Sequence, residues 1–369
     1  MKRTKVCFIF GNMKQSISTK NSICFYLTIL YIICVAALSS CGNKSAQPDT
    51  SNIQLEMQIV RFEQDFFSMD TTDINAAMEN LRVKHHDFSN DFVLRILGLE
   101  GVDTANWGAA IKQFYHDYKP IYDSTRLLEE DIMNALGKTK DGLKNVKYYF
   151  PAYRLPDQFI TFIGPVDAFA SGPTGGSGDI ITTFALGIGL QLHLGANSSI
   201  YNSEQGMQLY PTYISRKFTP DYIPVNCMKN TIDDLFPPTK QGASLLDVFV
   251  DHGKRMYLLD LFLPDTEDTL KLGYSAAQLK GAEKNEGLIW NYFLENNILY
   301  ETDPFKLRSF INDGPSTMEF GEGSPGFISL FIGRRIIQQY MDKHPETSPN
   351  TLLTMDVKKI FSESKYKPR

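Results

Sequence analysis

Over much of the chain, and most clearly in its second half, apolar residues recur every three or four positions, the spacing that gives a helix one buried face. The strongest case is 243–265, where Leu245, Phe249, His252, Met256, Leu259 and Leu263 fall on one side. The same spacing predicts helices over 70–78, 90–97, 107–118 and 122–138, with Pro120 just beyond the third and Gly137 as the stop of the fourth. Further helices are predicted over 210–218, with Pro211 near its first position, and over 224–236, where Val225, Met228, Ile232 and Leu235 keep the step. Two more follow. One covers 275–296 with Ser275 as N-cap, and one covers 324–344 with Ser324 as cap, Pro325 at the first position and Pro345 after the stop.

A period of two is confined to the first half. Ile53, Leu55, Met57 and Ile59 alternate with polar residues and predict a strand, and 157–165 is a short β-rich run suited to an inner strand. The glycines of 171–179 feed the β-branched run Ile180 to Thr183 and predict a hairpin turn. With no internal repeat and no second-domain boundary, the pattern predicts one α+β domain, helix-rich toward its C-terminus, with a small mixed β-sheet.

The first forty residues follow different rules. Lys2, Arg3, Lys5, Lys14 and Lys20 precede the apolar run Ile23 to Leu38, and Leu38-Ser39-Ser40-Cys41 follows. A basic segment, an apolar segment and small residues before a cysteine make a secretory signal over 1–40 that ends in a lipobox. Cys41 is then the lipidated residue, 41–52 a polar tether, and 53–369 the folded body. The alternative is a single membrane anchor, although the run falls short of the ~20 apolar residues a span needs. Met13 is a second candidate start, because residues 1–12 make the basic segment unusually long. Cys7, Cys24 and Cys34 leave with the signal, so the body keeps only Cys227 and must fold without an internal disulfide. Cys227 lies on an apolar stripe and reads as a small buried hydrophobe.

Composition narrows the function classes modestly. A net charge of −5 gives no basic face for nucleic acid. The glycine-rich stretch lacks the Gly-Lys-Ser/Thr that opens a phosphate-binding helix, and Asp179 after Gly178 would repel phosphate. None of the six histidines forms a His-Glu-x-x-His pair, and there is no Gly-x-Ser-x-Gly elbow. His85-His86, Glu129-Glu130 and Asp233-Asp234 read as solvated faces. A carboxylate-pair hydrolase stays open, since no spacing selects one pair. On 243–265, His252 points inward with the apolar stripe as a hydrogen-bonded core histidine. Asp251 lies on a neighbouring arc with Lys254 and Arg255, toward solvent. Gly253, in mid-helix, predicts close packing of another element.

Several segments carry a resemblance. IVRFEQDFF, ALGIGLQLHLGANSSIY, YPTYISRKFTPDYI, LLDVFVDHGKRMYLLDLFLPDT, KLGYSAAQL, NEGLIWNYFLENNILYETD and SPGFISLFIGRRIIQQYM, spanning about 59–341, resemble the GldB lipoprotein family of the Bacteroidetes. The resemblance implies a lipoprotein tied to gliding and type IX secretion. The family is in turn distantly similar to zincin metallopeptidases. That likeness puts Tyr213 and Lys217 where the zinc histidines would be, Ile214 at the general base, and His252 at the later ligand before Gly253. Tyrosine and protonated lysine are poor zinc ligands and isoleucine cannot activate water. The family more often has an acidic residue in the place of His252. The expectation is a zincin-like domain without metal or cofactor, lipid-anchored at the periplasmic face of the outer membrane, acting through protein partners in a structural or assembly role. The alternatives are a zinc hydrolase using His252 and a small-ligand binder using a cleft at Tyr213, Lys217 and His252.

Overall fold

The computed structural model describes residues 47–167, 178–238 and 242–368. The signal segment, Cys41, most of the tether and the tip of the glycine-rich turn lie outside the described residues. Helices of eight or more residues are α1 (Ile74–Lys84), α2 (Trp107–Thr125), α3 (Glu129–Tyr149), α4 (Tyr222–Leu235), α5 (Leu245–Phe262), α6 (Ala276–Lys284), α7 (Glu286–Glu295), α8 (Pro304–Ile311), α9 (Ile328–Lys343) and α10 (Val357–Ser364). The strands are β1 (Gln58–Arg61), β2 (Gln158–Phe162), β3 (Ile180–Ile181) and β4 (Ala185–Gly189).

They form one sheet in the order β1-β2-β4-β3, with β1, β2 and β4 parallel and β3 antiparallel at the edge. This is the mixed sheet of an α+β domain. Its central strands, QFITF and ALGIG, are almost wholly buried, and a sheet covered on both faces needs such unbroken apolar runs rather than alternation. Alternation in 53–59 therefore misplaces the first strand. Pairing starts only where Gln58 meets Gln158, and the chain turns into a short helix, Phe62–Phe67, directly after Arg61. Residues 53–57 have no strand beside them, and a strand is defined by its partner. The glycines expected to form a hairpin turn lie mostly outside the described residues, and the hairpin that is described joins β3 to β4 after them, with Thr182 N donating to Ala185 O (2.8 Å).

Several helix limits differ from the sequence pattern. Pro120 lies inside α2 rather than beyond its end. Pro120 and His116, whose carbonyl loses its bond, are both on the exposed side, where water can replace the partner. The burial of Ile121 and Thr125 carries the helix onward. Gly137 does not stop α3, because Leu143 and Val146 are fully buried beyond it and outweigh a glycine's ~1 kcal/mol propensity cost. The expected helix 122–138 instead changes at a 3₁₀ turn, Arg126–Leu128. Similarly, 275–296 divides at Asn285 into α6 and α7, though Ser275 caps α6 through a full capping box as expected.

The last long helix starts late. Ser324 does not cap it; its hydroxyl bonds to Thr317 and Gly321 instead. Phe327 occupies the N-cap of α9 in the left-handed region, φ 57°, where its N donates to Asn312 O (2.9 Å) and its O accepts from Tyr274 Oη (3.0 Å).

α5 and α9 form the spine of the helical layer. A Cβ on Gly253 would lie 2.2 Å from Gly333 O, and one on Gly333 would lie 2.0 Å from Phe249 O. Gly253 is thus where the second backbone presses in, as its mid-helix position predicts. Behind this crossing, Phe249, Phe293, Phe310 and Phe320 pack edge to face or tilted. Cys227 is fully buried on α4, and burial pushes its thiol well above the usual range, so it acts as a packing residue.

Candidate functional site

The spine has a hollow beside it. A cavity of about 820 Å³ opens between the faces of α4 and α5, the N-terminus of α9, one face of α8, and the residues Ile214, Lys217 and Phe218. Its size falls within the range of small-molecule sites. Sequence spacing explains the α4 wall: Tyr222, Asn226, Lys229, Asn230 and Asp233 advance by one, three or four positions and all line the cavity. From α5 come Asp251, His252 and Arg255.

Most charges on this wall are already matched. Lys217 Nζ is held by Asp313 Oδ2. Arg255 donates from Nε to Asp251 (2.8 Å), from one terminal nitrogen to Asp233, and from the other to Phe236 O (2.8 Å), and it lies over the Phe236 ring. Burial pushes the Asp233 carboxyl up, while Arg255 pulls it back. Asp251, with a side chain only 12% exposed, belongs to an ion cluster at the cavity edge, which corrects the expectation that it faces solvent, whereas Asp233 joins the same cluster from an exposed position, as expected. Lys254 is corrected too: it is 5% exposed and its ammonium donates to Leu353 O (3.0 Å) and Met355 O (2.9 Å). Other expected solvated groups are tied down as well. Glu129 pairs with Arg61, Asp234 accepts from Tyr153 Oη (2.5 Å), and His85 lies 2.7 Å from Asp65 with its ring edge on Phe62, whereas His86 stays exposed.

His252 faces inward, as its stripe predicts, and its Nδ1 lies 2.9 Å from Ser329 Oγ in the first turn of α9. Its ring stands edge-on to Phe327 at 5.3 Å. Burial pushes its pKa down to about 4, with Asp251 opposing and Arg255 assisting, so the ring is neutral at neutral pH. Lys229 differs from its neighbours. Burial, and repulsion from Lys217, bring its pKa down to about 8 against the pull of Asp313 and Asp233. Among the described residues its ammonium forms no hydrogen bond and no close ion pair.

Of the residues selected from sequence, Lys217 and His252 share the cavity wall with Ile214, whereas Tyr213 does not line it. The expected helix 210–218 shrinks to one turn, Thr212–Ser215, and tightens at its end, where Lys217 N donates to Ile214 O (2.9 Å). Positions 213 and 217 are therefore not stacked as two ligands on an α-helix would be. Among the described residues no group of three His, Cys, Asp or Glu could hold a metal ion.

Sequence reasoning passed over Lys229, Asp313 and a second polar centre. Beside the cavity, Asp179 and His193 form a buried pair. His193 Nε2 lies 3.0 Å from both Asp179 oxygens, and Nδ1 lies 3.0 Å from Thr219 O. Both partners are acceptors, so both ring nitrogens donate and the ring is an imidazolium. Burial opposes that charge, but Asp179 and the Thr219 carbonyl outweigh it and raise the pKa. Asn226 Nδ2 adds a further bond to Asp179 (2.8 Å). The acidic residue after the glycines thus anchors the sheet edge to α4.

The whole of this architecture falls inside one family match: the model of the gliding motility protein GldB family covers residues 43–368. The chain belongs to the GldB family. It is thereby placed with gliding-motility-associated lipoproteins of the cell envelope. No curated protein and no solved structure matches it. In this GldB-family chain no helix of the described residues is long and apolar enough to cross a membrane.

Proposed function

We propose that this GldB-family chain is a lipid-anchored cell-envelope component, held through Cys41 at the periplasmic face of the outer membrane, with an assembly role exerted through protein contacts rather than catalysis. The observation that carries the reading is the family match, whose span begins two residues after Cys41 and takes in nearly all of the folded body. The chemistry of the cavity supports it. Where the zincin likeness puts a general base and metal ligands, the chain has Ile214, a Lys217 locked to Asp313, and a neutral His252 held by Ser329. Isoleucine has no proton-accepting atom, the Lys217 ammonium is engaged by Asp313, and a His252 ring with its pKa pushed down to about 4 is a weak base.

Co-purification of the lipidated protein from native membranes tests the reading, and the expected result is a stoichiometric envelope-protein partner. Recovery of the chain alone under mild extraction would refute it. Stoichiometric zinc that disappears in His252→Ala would establish the hydrolase reading in its place.

A further inference from the structure

Lys229 sits on the cavity wall within electrostatic reach of two satisfied ion clusters. One is Lys217 with Asp313 and the other is Arg255 with Asp233 and Asp251, and Lys217, Asp313 and Asp233 all act on the Lys229 charge. Its own three N–H donors have no protein acceptor among the described residues. No segment outside those residues can provide a carboxylate side chain, because 1–46, 168–177, 239–241 and Arg369 contain no Asp or Glu. Among the described residues, the fully enclosed side-chain polar atoms without a partner are Gln191 Nε2 and Arg335 Nε. The Lys229 ammonium is not one of them, so it retains open space, and the cavity is the space that it lines. The rest of the cavity wall is mainly hydrocarbon, with Leu192, Phe218, Met256, Leu259, Leu272 and Leu307.

The geometry points to a ligand site for a monocarboxylate with a hydrocarbon body, its carboxylate accepting from Lys229 and its chain lying along the aliphatic wall. Among the described residues that line the cavity, one free cation, Lys229, matches one negative charge. A phosphate group, with about two charges and three strong acceptor oxygens, would find its other cations already engaged by Asp313, Asp233 and Asp251. An uncharged hydrocarbon would leave a desolvated ammonium without an acceptor, which is costly. The site goes beyond the assembly role and does not depend on it.

Octanoate and octanol share a hydrocarbon body and differ in charge, and both dissolve in water. Each is titrated by calorimetry into the full-length lipidated protein in lipid nanodiscs, with empty nanodiscs subtracted. Octanoate should bind one to one, about ten- to hundredfold more tightly than octanol. Lys229→Met should bring octanoate down to the level of octanol, and Lys229→Arg should keep most of the preference. Val248→Trp, which narrows the cavity with Lys229 intact, should abolish binding of both. Absence of octanoate binding, equal affinity for octanol, or full affinity in Lys229→Met would each overturn the assignment. The comparison of the two ligands on the unaltered protein decides it even if a variant fails to fold.

Discussion

Ser329 holds the His252 ring from the first turn of α9, and enclosure does the rest, keeping that imidazole neutral at a pKa of about 4. An unfolded histidine titrates near 6.5, so unfolding takes up a proton between those two values. The stabilising share of the neutral ring is complete above about pH 6.5 and is lost as pH falls to about 4, a difference of at most about 3 kcal/mol. Urea midpoints at pH 7 and pH 4.5 should therefore move further apart in the native protein than in His252→Gln. Equal spacing would mean that the ring is not held neutral. The Asp179–His193 pair carries the opposite logic, since a buried imidazolium depends on its carboxylate. Asp179→Asn should cost about 3–5 kcal/mol by leaving that charge unmatched, measurable as a lowered thermal midpoint. Neither role is legible in sequence: a histidine on an apolar stripe looks the same whether hydroxyl, carboxylate or metal waits across the core.

At the level of elements, two mid-helix glycines show the same limit. Gly137 and Gly253 both interrupt a helical pattern, yet open space surrounds a Cβ at Gly137 and a backbone carbonyl blocks one at Gly253. Gly137→Ala should stabilise the protein by about 0.5–1 kcal/mol. Gly253→Ala should destabilise it by about 3 kcal/mol or more, because α5 and α9 must separate to admit the methyl group. Chemical denaturation of both variants checks the opposite signs. Helices with a long apolar stripe, such as α5, and those with a serine capping box, such as α6, were readable because local interactions suffice to specify them. The ends of α2 and α3 and the start of α9 were not, since distant residues decide them. Pro120 is carried by burial beyond it, and Phe327 is fixed by Asn312 and Tyr274.

For the whole molecule, the proposed anchoring through Cys41 has a direct test. Cys41→Ala should leave an unprocessed precursor that takes up no labelled fatty acid, and normal processing of that variant would refute the lipobox assignment. The sequence by itself determined the family, the α+β class, the inward His252 and the buried Cys227, because each follows from local periodicity or from contiguous motifs. The tertiary structure alone decided that Lys217, Lys229, Arg255 and His252 face one cavity, that Tyr213 lies off its wall, and that, among the described residues lining that cavity, Lys229 is the cation left without a carboxylate. The physical reason is range. Helical spacing fixes which side of its own helix a residue occupies, whereas the partner across a cavity lies far along the chain, as Asp313 does from Lys217, and is chosen only when the helices pack.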